Sequence, residues 1–109
     1  MISVRALGPN GFGVYRLDRS ALSLEPADVQ ADKLFVPGLF DLHIHGAFGI
    51  DLMTASEGDL RSLATALGEQ GYECFVPTTV TAPAESVLQA VSNIPNDARI
   101  AGFHLEGPF

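Results

Sequence analysis

Residues 36–46 read VPGLFDLHIHG, and this stretch decides the fold. Leu39, Phe40, Leu42 and Ile44 are apolar strand formers, while Asp41, His43 and His45 stand at every second position among them. Side chains two apart share one face of a strand. The spacing therefore predicts an acid and two imidazoles along one side, with Phe40, Leu42 and Ile44 along the other. A buried polar side chain without a partner costs on the order of 1–3 kcal/mol, and an unpaired carboxylate costs more. A divalent cation relieves that cost, because it accepts imidazole nitrogens at about 2.0–2.1 Å and carboxylate oxygens at similar range. The plainer alternative for a buried histidine is a hydrogen bond to the backbone.

Outward from this strand the pattern repeats. LFVPGLFDLHIHG, 34–46, shows little solvent-facing alternation, which predicts a strand covered on both faces. SEGDLRSLATALGEQG, 56–71, follows as a helix capped by Ser56, with Asp59 completing a capping-box variant. Its Leu60, Leu63, Ala64 and Leu67 form one apolar stripe, and Gly68 and Gly71 stop it. YECFVPTTVT, 72–81, is a second strand, and PAESVLQAVSNI, 83–94, a second helix with Val87, Ala90, Val91 and Ile94 on one face. RIAGFHLEG, 99–107, is a third strand. The order β-α-β-α-β argues for a parallel α/β sheet with right-handed crossovers. Residues 1–36 read instead as short β-elements broken by turns, GPNGFG at 8–13 being the strongest turn signal.

His104 and Glu106 share a face of the third strand. Like the histidines of the first, they lie at its carboxyl end, where parallel α/β sheets bind ligands. The metal candidates are His43, His45 and Glu106. Asp41 is expected to orient an imidazole or a backbone group, or else to serve as a turn or salt-bridge carboxylate. His104 is expected to give a supporting hydrogen bond, with coordination as the alternative. Thr78, Thr79 and Thr81 end the second strand near where substrate would sit, although β-propensity and helix capping also account for them. Gly46, Gly49 and Gly107 either admit close backbone approach or make turns.

Composition excludes several classes. The 109 residues suffice for one small domain, with 47% apolar and 17% charged residues. Net charge is −7 and Lys33 is the only lysine, which argues against nucleic-acid partners and anionic membranes. Cys74 is the only cysteine; it forms no intrachain disulfide, and its apolar surroundings predict a buried thiol. No apolar run approaches the ~20 residues of a membrane span, and the N-terminus lacks the pattern of a signal peptide. The expected location is cytoplasmic.

At these residues the chain resembles a known group. VPGLFDLHIHG looks like the first barrel strand of the amidohydrolase superfamily, and HLEGPF, 104–109, is similar to the third-strand signature of its N-acetylglucosamine-6-phosphate deacetylases. GYECFVPTTVT, 71–81, looks like that family's second strand. The resemblance covers residues 34–109. It implies a fold in which 37–109 are the first β-α-β-α-β part of a metal-dependent (β/α)8 TIM-like barrel, and 1–36 are part of a small β-sandwich domain. A complete barrel of this kind takes ~250 residues, so this one would be incomplete.

The implied reaction is hydrolysis of N-acetylglucosamine 6-phosphate to glucosamine 6-phosphate and acetate. By resemblance Glu106 binds the metal, while His43 and His45 match a pair that holds an additional ion in members keeping both histidines. One or two divalent ions, zinc or iron, and a homodimer at full length are implied. The family's catalytic aspartate and further histidine ligands fall beyond Phe109. The chain alone is therefore expected to be inactive and to bind metal weakly, if at all. A dihydroorotase- or hydantoinase-like amidohydrolase and a non-catalytic α/β module needing a partner are the competing readings.

Overall fold

The computed structural model describes residues 1–107; Pro108 and Phe109, which end the HLEGPF stretch, lie outside the described residues. The chain divides into two compact units, Met1–Pro37 and Gly38–Phe109.

The first unit is an antiparallel sheet in the order β1-β2-β3, built from β1 (Ile2–Gly8), β2 (Gly11–Asp18) and β3 (Ser23–Pro26). Gly8 pairs with Gly11, so Pro9 and Asn10 form the tight turn that the sequence signals. Alternation places Val4, Ala6, Tyr15 and Leu17 on one buried face. The Tyr15 hydroxyl donates to the Gly11 carbonyl at 2.7 Å, giving the otherwise buried ring's polar tip a partner.

The second unit carries β4 (Leu39–Ile44), β5 (Gly46–Ala47), β6 (Ile50–Asp51), α1 (Glu57–Glu69), β7 (Tyr72–Thr79), α2 (Ala84–Ser92) and β8 (His104–Leu105). β4, β7 and β8 make a parallel sheet with β7 in the middle. The expected α/β order is thus present. α1 begins at a true capping box: the Ser56 hydroxyl accepts the Asp59 N–H at 3.2 Å, and the Asp59 carboxylate accepts the Ser56 N–H at 2.9 Å. Leu60, Leu63, Ala64 and Leu67 are all buried, packing with Leu52, Ala55 and Phe75. Each fully buried leucine contributes about 1.5–3 kcal/mol, so this stripe is what fixes α1 to the sheet. Along α2, Val87 and Ala90 are buried, as the periodicity predicts.

Three expectations need correction. The first strand is not covered on both faces: Leu39 and Phe40 are exposed and Leu42 is 70% exposed, because β4 is an edge of the three-stranded sheet. The third strand is shorter than 99–107, reduced to His104–Leu105 plus a bridge between Ile100 and Phe75, since β8 also has a neighbour on one side alone. Cys74 is half-buried rather than buried, with Sγ 3.9 Å from the Ala98 carbonyl.

Candidate metal centre

β4 and β8 are not paired with each other; β7 lies between them. Neighbouring strands lie about 4.8 Å apart, so side chains from the two outer strands must lean across the end of β7 to meet. They do. Ligand atoms of His43, His45 and Glu106 all lie within 4.8 Å of one another. The His43 and His45 Nε2 atoms are 3.2 Å apart, and Glu106 Oε2 lies 3.3 Å from His45 Nε2 and 3.9 Å from His43 Nε2. Two donors about 2.0–2.1 Å from a tetrahedral ion are separated by about 3.3–3.4 Å. Two edges of the triangle therefore already have coordination spacing, and the third is about half an ångström wide. The three side chains are 44–46% exposed, leaving the site open to solvent on one side.

His45 is the better anchored imidazole. Its Nδ1 lies 3.0 Å from the Thr78 carbonyl oxygen. A carbonyl can only accept, so Nδ1 carries the proton and Nε2 presents a lone pair toward His43 and Glu106. Thr78 thus serves through its backbone, while its hydroxyl donates to the Val76 carbonyl. No sequence signal marks a carbonyl for that task.

Asp41 takes the backbone alternative. The β4–β7 ladder shifts between Asp41 and Ile44, which pair with Phe75 and Pro77, so three steps on β4 face two on β7. Such a bulge leaves an N–H without a ladder partner. The Asp41 carboxylate accepts that of His43 at 3.0 Å. It holds the strand irregularity that carries His43, and does not orient an imidazole. His104 stands outside the ligand triangle. The expected supporting hydrogen bond is not among the contacts of the described residues; its ring instead meets the His43 ring at 5.1 Å between centroids, with planes at 88°.

Beside His45 opens a cavity of about 460 Å³ lined by His45, Gly46, Ala47, Ile50, Asp51 and Val80. Its wall is a hairpin that the sequence reading did not foresee, β5 pairing β6 across Phe48 and Gly49. Both turn residues have positive φ, 53° and 78°, the signature of a two-residue hairpin turn. The clue was the spacing of Gly46 and Gly49: a Cβ on Gly46 would stand 2.0 Å from the Ile50 carbonyl oxygen. Gly107 likewise admits close approach, since its Cβ would lie 3.0 Å from the Thr81 hydroxyl. Thr79 is fully buried, and its hydroxyl has no hydrogen-bond partner among the described residues.

No protein-family profile matches the chain. Known proteins do. The chain is 37% identical over 89 residues to the N-acetylglucosamine-6-phosphate deacetylase of Bacillus subtilis, across 72% of this chain and 22% of that protein. This chain is similar to N-acetylglucosamine-6-phosphate deacetylases. The solved deacetylase of that name from Thermotoga maritima superposes at a TM-score of 0.76 with 25% identity, covering 100% of this chain and 32% of the other. An N-acetylgalactosamine-6-phosphate deacetylase of Escherichia coli O157:H7 is 32% identical over 98 residues, 80% of this chain and 26% of that protein. The chain spans about a quarter of the length of the curated relatives it matches. The deacetylase likeness expected from HIHG and HLEGPF is therefore borne out. Within this deacetylase-like chain, His43, His45 and Glu106 form a cluster with the chemistry to hold a metal ion.

Proposed function

We propose that the chain is part of a metal-dependent deacetylase that hydrolyses N-acetylglucosamine 6-phosphate to glucosamine 6-phosphate and acetate. In this reading residues 37–109 form the opening of a (β/α)8 barrel and residues 1–36 part of its small β-domain. The observation that carries it is the convergence of His43, His45 and Glu106 from the carboxyl ends of two non-adjacent strands in a chain similar to such deacetylases. Two imidazoles and one carboxylate suit zinc or iron as one or two ions.

When bound, the ion supplies Lewis acidity to the amide carbonyl and acidifies a water. The chain's own residues do the positioning. The Thr78 carbonyl keeps the His45 proton on Nδ1, so that Nε2 is free to donate a lone pair. Glu106 brings the triangle's negative charge, and the cavity beside His45 gives the acetamide a place against Gly46, Ala47 and Val80. The acid–base group that would protonate the leaving amine is not supplied by these elements. Accordingly, the chain alone is inactive, and the working enzyme is a longer, cytoplasmic homodimer.

The test is acetate release from N-acetylglucosamine 6-phosphate and from its galactosamine epimer, on this chain and on the complete product of its gene. The chain alone releases none. The complete product turns over the glucosamine substrate and loses that activity with Glu106→Ala or His45→Ala. Undiminished turnover by Glu106→Ala, or a complete product with no deacetylase activity, overturns the reading.

A further inference from the structure

The two imidazoles of the triangle are held by different means. His45 is anchored at Nδ1 by the Thr78 carbonyl, and its Nε2 lies 3.2 Å from His43 Nε2. The His43 ring has its contact with His45 Nε2 but, among the described residues, no hydrogen bond at Nδ1. An imidazole without an acceptor at its distal nitrogen is free to turn about its Cβ–Cγ bond, and a turned ring misdirects its lone pair. Something else must limit that rotation.

We propose that His104 is a positioning residue for His43, confining the imidazole by edge-to-face contact so that Nε2 faces His45 and Glu106. The inference rests on the metal reading above. The His43 ring meets two rings edge to face, His45 at 4.9 Å and 87° and His104 at 5.1 Å and 88°. Both separations fall in the range where aromatic rings prefer a T-shaped arrangement. His104 is also tied to the site by register: it pairs with Thr78, the residue whose carbonyl holds His45. One position on β7 therefore sets both supports, a carbonyl for one imidazole and, through the ladder, a ring for the other. His104 does not reach the triangle itself, whose three ligand atoms come from His43, His45 and Glu106.

What matters in this role is the shape of an aromatic ring, not a nitrogen. Cobalt(II) titration of the 109-residue chain tests that, read by the visible d–d absorption of the bound ion and by zinc competition. His104→Ala should weaken cobalt binding about 3- to 10-fold, the range an aromatic pair contact converts to, and alter the band shape as His43 swings. His104→Phe should restore affinity to within about twofold and return the wild-type spectrum. His104→Gln, polar but not aromatic, should behave as the alanine variant. Circular dichroism confirms that each variant keeps its helices. A phenylalanine variant as weak as the alanine one, or an alanine variant that binds like wild type, overturns the role of His104 while leaving the metal reading intact. A chain that binds cobalt equally well with Glu106→Gln sinks the metal reading and this inference with it.

Discussion

Replacing Glu106 by glutamine keeps the side chain's size and one neutral oxygen donor but removes the negative charge of the ligand triangle. Without metal the change should matter little. The carboxylate is 45% exposed and contacts two histidines, and exposed pairs of this kind contribute about 0–1 kcal/mol. With metal the arithmetic differs. A unit negative charge about 2.1 Å from a doubly charged ion is attracted by roughly 4 kcal/mol even at the dielectric of water. That dielectric suits so open a site, and the energy corresponds to two to three decades in affinity. At a zinc concentration 100-fold above the wild-type Kd, the native chain gains about 2.7 kcal/mol of stability. For a unit of this size that raises Tm by roughly 10–20 °C. At the same concentration Glu106→Gln, weakened about 100-fold or more, gains at most about 0.4 kcal/mol, a shift of some 2–3 °C. Thermal unfolding followed by circular dichroism, with zinc and with a chelator, measures both numbers. Equal zinc-induced shifts in the two proteins would refute the argument, because Glu106 could not then be a ligand.

Other expectations concern the scaffold. Ser56→Ala removes the cap of α1 and should cost about 1 kcal/mol in urea unfolding. The Asp59 carboxyl is held below its ordinary range first by the Ser56 hydroxyl and then by the Ser56 N–H. The unfolded chain therefore takes up that proton at higher pH than the folded one. The stabilisation is present above pH ~4 and lost as pH falls through the folded value, so α1 helicity should fade in acid for the native chain and change less with Asp59→Asn. Thr79→Val replaces a buried hydroxyl that has no partner among the described residues; it should be neutral or stabilising by up to about 1 kcal/mol, and a loss above 1 kcal/mol would reveal a partner. Phe48→Gly relieves a left-handed residue that is 59% exposed. The relief of about 1–2 kcal/mol, less the extra chain entropy of glycine, should leave a gain of about 0.5–1 kcal/mol in the same assay.

Much of this was legible in the sequence because local rules governed it. The leucine stripe of α1, its Ser56–Asp59 cap and the turn at Pro9–Asn10 depend on neighbours a few residues away. The convergence of His43, His45 and Glu106 was legible too, since His-x-His and a terminal glutamate occupy strand ends that the α/β order brings to one rim. Pairing geometry was not. Strict alternation placed Asp41 beside the imidazoles, but a register shift on β4 diverted its carboxylate to the His43 N–H. The coverage of β4 was misjudged because hydrophobicity reports what a strand would bury, whereas exposure depends on which strands stand beside it. The support of His45 by the Thr78 carbonyl is invisible to side-chain reading altogether, because every residue carries that oxygen.

β7 donates no side chain to the candidate metal cluster, yet it sets the gauge of that cluster. The imidazoles and the carboxylate hang from rails on either side of it, and the width between those rails is two hydrogen-bonded ladder steps that cannot stretch. An ion of different radius must be met by swinging side chains alone, and His45, bolted to β7, has the least play. Tolerance for larger or smaller ions should therefore reside in His43 and Glu106.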